Sequence, residues 1–292
     1  WQDWHHPGGV RPPWPEYSDL PLLQQPGEDE FENYWQEKCL PQVRELIENY
    51  HPAFLWFDTW TDALYINEAR LDELINLVRD LDPECLINSR IGTTWGHSKG
   101  DELVDFLSMG DNSFPNRTIE RPWETSGTMN RSWGYHRLDH AWKPHFEILR
   151  YLITNASRGG NYQLNVGPKD DGSFPLASIK RLRQIGAWLA VNGEAIYGTK
   201  HSPLPEHDWG QITYRQLPDG KSRLYLHIFK WPQDGMLPVH GLRYLPKSAR
   251  VLETGQTVQC LPDHSGIVVN LPVQPADEDI YVVVLDVNAE LE

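Results

Sequence analysis

Ala53-Phe54-Leu55-Trp56-Phe57-Asp58 is a short apolar run that ends on a carboxylate. Its length and the preceding Pro52 predict a buried strand of a parallel sheet. A carboxylate at the C-terminal end of such a strand lies where parallel α/β folds place reacting groups. Trp56 and Trp60 flank the acid with flat indole faces, which suit the C–H face of a sugar ring. The alternative interpretation is a buried Asp58 that caps the next helix.

Helical and strand patterns alternate around this run. Residues 30–50 carry apolar side chains at helical spacing, with a break or restart at Pro41. Asn67 is expected to cap a second helix. The apolar face of that helix consists of Leu71, Leu74, Ile75 and Val78. A further short strand at residues 85–88 completes the order helix, strand, helix, strand.

The same alternation returns later in the chain. A helix is predicted at residues 143–157, a strand at 161–166 and a helix at 175–192, which Gly193 ends. Alternating α and β units of this length predict a parallel sheet with helices outside it.

From about residue 200 the pattern changes to short runs with a period of two, separated by turn sequences such as Pro-Asp-Gly. These runs cover residues 211–217, 223–229, 250–251, 266–271 and 280–285. Such runs predict antiparallel strands. We therefore expect a domain boundary near residue 200, with residues 1–200 forming the α/β domain and residues 201–292 a small antiparallel β-sandwich.

Composition limits the classes of partner. The 292 residues carry a formal net charge of −15. Nucleic-acid binders recruit phosphates with clustered Lys and Arg, so a nucleic-acid partner is disfavoured, and so is an acidic membrane surface. Thirteen Trp and twelve Tyr indicate exposed stacking platforms, although core packing could use most of them.

The cysteines and the apolar runs exclude further classes. Cys39, Cys85 and Cys260 are odd in number and far apart, which predicts free thiols rather than a disulfide framework or a metal site. No run approaches the ~18 apolar residues of a membrane span. Nothing at the start resembles a signal peptide, but the chain begins at Trp1 without an initiator Met. This leaves open that it begins inside a longer protein.

Six segments in order carry a family resemblance. They are Leu55-Trp56-Phe57-Asp58, Asn88-Ser89-Arg90, Trp123-Glu124-Thr125, Ser132-Trp133-Gly134-Tyr135, Gly159-Gly160-Asn161-Tyr162-Gln163-Leu164-Asn165-Val166-Gly167-Pro168 and Val191-Asn192-Gly193-Glu194-Ala195-Ile196-Tyr197-Gly198. Together they resemble the α-L-fucosidases of glycoside hydrolase family 29. The resemblance implies a (β/α) barrel of TIM type followed by a C-terminal antiparallel β-sandwich. It also implies an exo-glycosidase that removes terminal α-L-fucose from a fucosylated oligosaccharide or glycoconjugate, with Asp58 as the nucleophile of a retaining double displacement.

A retaining mechanism needs a second carboxyl group, roughly 5 to 5.5 Å from the nucleophile, to protonate the leaving oxygen. By the resemblance, Glu124 is the first choice, since the Trp-Glu segment carries this role in some relatives. Many family members instead have Thr-Pro-Glu after a Gly-Asp pair, whereas no Glu follows Gly110-Asp111 at that point. Asp111 and Glu120 are the alternative acid/base residues, and Glu120 could equally be a carboxylate paired with a nearby arginine.

Other residues have narrower expected roles. Arg90 stands in the family's Asn-Asp-Arg position and could keep Asp58 ionised through a charge-assisted hydrogen bond, or form a structural salt bridge. Trp56 is expected to line the sugar pocket. Trp133 would stack on the apolar face of fucose, or else pack the barrel. The segment with His5 and His6 resembles the stretch after the family's fourth barrel strand, and both histidines are expected to bind substrate.

A metal interpretation of His136 and His140 depends on a helix that Gly134 and Pro144 disfavour. We expect no metal and no cofactor, because two carboxylates suffice for glycoside cleavage.

The resemblance also shows what the sequence lacks. Family members carry upstream barrel strands with His-Trp-Gly and Lys-His-His-Asp-Gly-Phe segments, and neither occurs in these 292 residues. We therefore expect a barrel without its first strands. The chain would then be a fragment, a truncated protein whose exposed half is covered by another copy in a homo-oligomer, or an inactive relative that binds fucosides. The compartment is unknown from the sequence, and the family favours a periplasmic, lysosomal or secreted location.

Overall fold

The computed structural model describes residues 6–9, 26–58, 65–91, 103–275 and 279–291. The chain forms two compact units that divide between Met109 and Gly110. The first antiparallel strand begins at Lys200, close to the change of pattern expected near residue 200. The division into domains at that residue stays a prediction.

A long helical segment opens the first unit. Helix α1 (Glu28–Tyr34) continues through a π-helical turn (Trp35–Cys39) into helix α2 (Leu40–Tyr50). The break predicted at Pro41 is therefore a widened turn just before it. In a regular α-helix the proline ring would clash with the carbonyl four residues earlier, and the wider π-turn relieves that clash.

Short parallel strands follow the helices of the first unit. Strand β1 (Phe54–Leu55) pairs in parallel with strand β2 (Leu86–Ile87), and helix α3 (Glu68–Leu81) lies between them in the chain. The predicted cap is confirmed, because the Asn67 side chain accepts a hydrogen bond from the Arg70 amide. A 3-10 turn (Ser89–Ile91) and strand β3 (Leu107–Ser108) follow in the described part of this unit.

The run at 53–58 is less buried than its apolar character predicted. Phe54 is 48% exposed and Asp58 is exposed, so the expectation of a buried strand is wrong. Leu55 and Phe57 pack against the helical core of the first unit. Because strand side chains alternate between faces, Phe54 and Trp56 lie on the face that these helices do not cover.

The second unit begins with two further α/β pairs. Strand β4 (Trp123–Thr128) runs parallel to strand β5 (Asn161–Asn165), and helices α4 (His145–Ser157) and α5 (Leu176–Asn192) follow them. The bounds predicted for α4, β5 and α5 are confirmed to within two residues. A 3-10 turn (Gly193–Ala195) ends this part of the unit.

Antiparallel strands form the rest of the second unit. Their bounds are β6 Lys200–His201, β7 Gly210–Leu217, β8 Lys221–Ile228, β9 Met236–His240, β10 Ser248–Val251, β11 Gln259–Asp263, β12 Gly266–Asn270 and β13 Tyr281–Val287. One sheet has the order β10-β13-β8-β7-β6, and a second has the order β11-β12-β9. Side chains from both sheets form one core, as expected for a β-sandwich.

The other face of the five-stranded sheet packs against the helices. Tyr225, Val282 and Val284 share a core with Ile148 of α4 and Trp188 of α5. Trp188 also donates its indole N–H to the Ile280 carbonyl at 2.7 Å. The helical layer and the sandwich therefore share buried surface. No helix within the described residues is long and apolar enough to cross a membrane.

Candidate active site

Asp58 lies just beyond the carboxyl end of β1. Its Oδ1 accepts a hydrogen bond from Arg90 Nη1 at 2.9 Å, so the predicted contact between these residues is present. The Asp58 side chain is 57% exposed, whereas the Arg90 side chain is only 10% exposed. A fixed, largely buried guanidinium thus faces a carboxylate that solvent or a ligand can reach.

Two further contacts fix the Arg90 guanidinium. Its Nη2 donates to the Met109 carbonyl at 3.0 Å, directly after β3. Its central carbon lies 4.8 Å from the ring centroid of Trp56, which is a cation–π geometry. Asp58, Arg90 and Met109 follow β1, β2 and β3 respectively, so the contacts join the carboxyl ends of these strands.

Asn88 is a residue that the sequence interpretation missed as part of the site. It is fully buried, and its side-chain amide bonds both backbone groups of Phe57. It stands within the Asn-Ser-Arg segment that carried the family resemblance. A polar side chain at the end of a strand predicted to be buried was the signal that could have identified it, because buried amides need partners.

Of the two predicted histidines, His6 is within the described residues and His5 is not. His6 packs on helix α1, with its ring centroid 4.9 Å from that of Tyr34, and its Nδ1 accepts the Gly8 amide. His5 and Trp60 lie outside the described residues.

The candidate acids of the second unit lie on and before β4. Glu124 is the second residue of β4, partly buried, and its register partner is Asn161, the first residue of β5. Asp111 and Glu120 lie in the segment that precedes β4, where Asp111 is partly buried and Glu120 is exposed.

The loop that holds Asp111 is tied to the other end of β4. Asn112 has a left-handed backbone, with φ of 48°, and its amide donates to the Ser126 carbonyl at 2.8 Å. Its side-chain oxygen accepts hydrogen bonds from the Thr128 amide and from Lys143 Nζ. Burial lowers the pKa of Lys143. Asp111 is therefore attached near the carboxyl half of β4, whereas Glu124 stands at its start.

Trp133 lies at the carboxyl end of β5. Its carbonyl accepts a hydrogen bond from Asn165 Nδ2 at 2.7 Å, and its side chain is 39% exposed. The following loop is held by Asp139, whose pKa is kept below its usual range by hydrogen bonds from Ser132 and two backbone amides. Trp133 thus has a fixed backbone and an indole that is open to solvent.

The two histidines considered as zinc ligands, His136 and His140, are exposed in the loop after Trp133. Across the described ranges, no three His, Cys, Asp or Glu side chains are grouped so that they could hold a metal ion.

These features define an α/β protein with an acid–arginine pair at its strand ends and an appended β-sandwich. Parallel folds commonly place their reacting groups at that edge. The chain belongs to the alpha-L-fucosidase family, glycoside hydrolase family 29. The family model described as "Alpha-L-fucosidase" matches residues 13–194, and the predicted family resemblance is confirmed.

Curated relatives match along most of this chain. Human plasma alpha-L-fucosidase is 32% identical over 248 residues, which cover 80% of this chain and 51% of that protein. The alpha-L-fucosidase of Dictyostelium discoideum is 26% identical and covers 82% of this chain and 50% of that protein. The chain thus spans about half the length of the curated relatives it matches.

Solved structures are similar over almost the whole chain. Alpha-L-fucosidase isoenzyme 1 from Paenibacillus thiaminolyticus has a TM-score of 0.79 and 30% identity, covering 98% of this chain and 70% of that one. The enzyme from Vibrio sp. strain EJY3 has a TM-score of 0.80 and 31% identity, covering 94% and 48%. A Bacteroides thetaiotaomicron enzyme, trapped as a covalent intermediate with 2-fluoro-fucosyl fluoride in a Glu-to-Gln mutant, has a TM-score of 0.77 and 24% identity, covering 88% and 61%.

Proposed function

We propose that this chain carries the nucleophile-bearing part of a retaining α-L-fucosidase, which hydrolyses terminal α-L-fucose from fucosylated oligosaccharides or glycoconjugates. The observation that carries the proposal is the Asp58–Arg90 pair at the strand ends of a chain that belongs to the fucosidase family. The parallel pairing of β1 with β2 and of β4 with β5, each pair joined through a helix, supports the inference of a TIM-type barrel.

The proposed chemistry assigns separate work to the two oxygens of Asp58. Arg90 bonds Oδ1 and stabilises the carboxylate, and Oδ2 is the oxygen that we assign to attack on the anomeric carbon. The attack forms a fucosyl ester as a protonated carboxyl group gives its proton to the leaving oxygen. Water, deprotonated by the same group, then hydrolyses the ester. The covalent intermediate trapped in the Bacteroides thetaiotaomicron enzyme supports a double displacement in this family.

Trp56 and Trp133 are proposed to line the fucose site. The indole of Trp56 stacks on Arg90 on one side, which fixes the ring beside Asp58. Trp133 has an exposed indole on a fixed backbone. Both are suited to contact the apolar face of a sugar.

Three carboxyl groups are candidates for the acid/base role. Glu124 is favoured by the family's Trp-Glu segment. Asp111 is favoured by its attachment, through Asn112, to the carboxyl half of β4, because reacting groups of parallel folds gather at the carboxyl ends of strands. Glu124 begins β4, about 13 Å from Thr128 at ~3.3 Å per residue. We therefore rank Asp111 above Glu124, and keep Glu120 as the third candidate.

The nucleophile is tested with 4-nitrophenyl α-L-fucoside. We expect the 292-residue chain to release nitrophenol, Asp58→Ala to lose at least about 1,000-fold in turnover, and azide to restore part of it. The matched control is Asp234→Ala, an acid in the turn before β9, which should retain full activity. An Asp58→Ala protein as active as the control would refute the nucleophile assignment.

Two alternative functions give different results in the same experiments. An inactive fucoside-binding relative would give calorimetric heat with fucosides but no product. A chain that works only as a homo-oligomer would show a specific activity, per milligram of protein, that rises with protein concentration. Light scattering would then detect a multimer.

The acid/base residue is tested by comparing Asp111→Asn with Glu124→Gln. The variant that removes the acid should lose activity on natural fucosides, lose less on activated aryl fucosides and flatten the alkaline limb of the pH profile. An unchanged pH profile in Asp111→Asn together with a flattened one in Glu124→Gln would reverse our ranking.

A further inference from the structure

We propose that Asn88 is a positioning residue for Asp58, acting through the peptide groups of Phe57. The inference rests on the proposed role of Asp58 as the nucleophile. Asn88 does not touch the reacting atoms; it holds the backbone from which the carboxylate projects.

The side-chain amide of Asn88 forms hydrogen bonds with both the backbone N–H and the backbone carbonyl of Phe57. Its Oδ1 accepts the Phe57 amide N–H at 2.8 Å, and its Nδ2 donates to the Phe57 carbonyl at 3.0 Å. Backbone pairing of β1 with β2 reaches only as far as Leu55 and Ile87. The Asn88 side chain therefore takes the place of a strand neighbour at Phe57, two positions beyond the last pair and directly before Asp58.

Asn88 is itself fixed from the other side. It is fully buried and forms a parallel bridge with Phe106, and its Nδ2 also donates to Ser108 Oγ at 3.2 Å. Ser89 reinforces this contact, because its Oγ accepts the Ser108 amide at 2.9 Å. A side chain held in this way has little rotamer freedom, so it can fix the Phe57 backbone to a narrow range of positions.

The short segment of residues 88–90 both supports the backbone before Asp58 and supplies its ion-pair partner. Asn88 fixes the residue before Asp58, and Arg90, two positions further, bonds the Asp58 carboxylate. Misplacing a reacting group by about 1 Å can lower a rate ~100-fold, since attack needs a near-ideal approach. Loss of the Asn88 amide would leave the Phe57 amide and carbonyl without these bonds and allow Asp58 to shift.

The test measures attack by Asp58 directly. The 292-residue chain is incubated with 2-fluoro-fucosyl fluoride, and the growth of the Asp58 adduct is followed by mass spectrometry. In Asn88→Ala we expect the limiting labelling rate to fall about 10- to 100-fold. The inhibition constant of free fucose should change less than about twofold, because the sugar contacts remain. Labelling at the wild-type rate would overturn the proposal.

A matched control separates positioning from general destabilisation. Asn155 is also fully buried, and its Nδ2 donates to the Asn161 carbonyl at 3.0 Å in the second unit. Asn155→Ala removes an equally buried amide of the same size and should label at the wild-type rate. Equal slowing in both variants would mean that Asn88 has only a structural role.

Two additional measurements cover failure of folding and failure of the proposed function. Ser108→Ala removes the hydrogen bond that anchors Asn88 on the side away from Phe57, and should slow labelling about 2- to 10-fold, as expected for the loss of one neutral hydrogen bond. Hydrogen exchange at the Phe57 amide requires no activity, and it should be at least about 10-fold faster in Asn88→Ala. A wild-type chain without any adduct would refute the assignment of Asp58 as the nucleophile. Unchanged hydrogen exchange at Phe57 would refute the positioning role of Asn88.

Discussion

At the scale of single residues, the Asp58–Arg90 pair combines two very different environments. The carboxylate is more than half exposed and the guanidinium is nearly buried. Ion pairs with such exposure contribute little to stability, so the value of this contact lies in geometry. The Arg90 guanidinium contacts Asp58, the Met109 carbonyl and the Trp56 ring at once.

Arg90→Lys should therefore lower kcat/KM for aryl fucosides by about 10- to 100-fold. An ammonium keeps the charge, but it cannot bond Asp58 and Met109 from one planar fork while stacking on Trp56. The free energy of unfolding, from urea titration, should change by less than about 1 kcal/mol. Full activity in Arg90→Lys would show that charge alone is sufficient.

His227 predicts a pH dependence of stability. It is fully buried, its Nε2 is bonded to Thr213, and burial lowers its pKa from 6.5 to about 3. Because the folded-state pKa lies below the unfolded-state value, the stabilisation is complete above pH 6.5 and is lost as pH falls towards 3. The loss is on the order of 1.4 kcal/mol per pH unit.

His227→Gln should therefore show a shallower fall in unfolding free energy between pH 7 and pH 4.5 than the wild type. Acid groups common to both proteins cancel in this comparison. Parallel curves would show that His227 does not titrate on unfolding.

The sequence identified candidate site residues better than it identified the contacts between them. Asp58 and Arg90 follow from the end of an apolar run and a family motif, and their contact was anticipated. Asn88 was missed, because its role depends on the Phe57 backbone 31 residues earlier, which only the folded chain brings near. The exposure of Phe54 was missed for the same reason, since it depends on which face the helices cover.

At the scale of elements, the long periodic helices were predictable, whereas two strands that contain proline were not. Helices α4 and α5 are long enough for apolar residues to recur at helical spacing over several turns. A pattern repeated that often rarely arises by chance. Strands β9 and β11 were missed, because each contains a proline, Pro238 and Pro262. Proline in a run argues against a strand, but it is tolerated at sheet edges, and both strands are edges of the three-stranded sheet.

The glycine pair Gly160 and Gly186 gives opposite predictions at this scale. A Cβ at Gly160 would lie 2.2 Å from the indole of Trp123, whereas a Cβ at Gly186, in helix α5, would meet nothing within 4 Å. Gly160→Ala should destabilise by about 1–3 kcal/mol through overpacking. Gly186→Ala should stabilise by about 0.5–1 kcal/mol through helix propensity. Urea unfolding measures both, and equal effects would contradict the packing around Trp123.

At the scale of the whole molecule, the second unit joins two layers that the sequence assigned to separate domains. Trp188 of α5 lies in one core with Tyr225, Val282 and Val284 of the five-stranded sheet. The change from α/β to antiparallel strands near residue 200 was predictable from the pattern. The shared core was not, because it depends on contacts between residues about 90 positions apart.

Trp188→Phe tests this shared core. It removes the hydrogen bond to the Ile280 carbonyl and part of the buried ring, and should destabilise the second unit by about 1–3 kcal/mol. The β-sheet signal in circular dichroism should then be lost at lower urea concentration, although the mutated residue lies on a helix. Val191→Ala, at a half-exposed position of the same helix, is the control. An unchanged sheet transition would show that the sandwich folds independently.

The central claim is that Asp58 attacks the anomeric carbon of fucose. It is tested most directly by incubating the 292-residue chain with 2-fluoro-fucosyl fluoride, digesting the protein and identifying the modified residue by tandem mass spectrometry. We predict a single 2-fluoro-fucosyl ester on the peptide that contains Asp58, formed as the anomeric fluoride leaves, and no adduct in Asp58→Ala. A chain that hydrolyses fucosides while its adduct lies on any other residue would contradict the assignment.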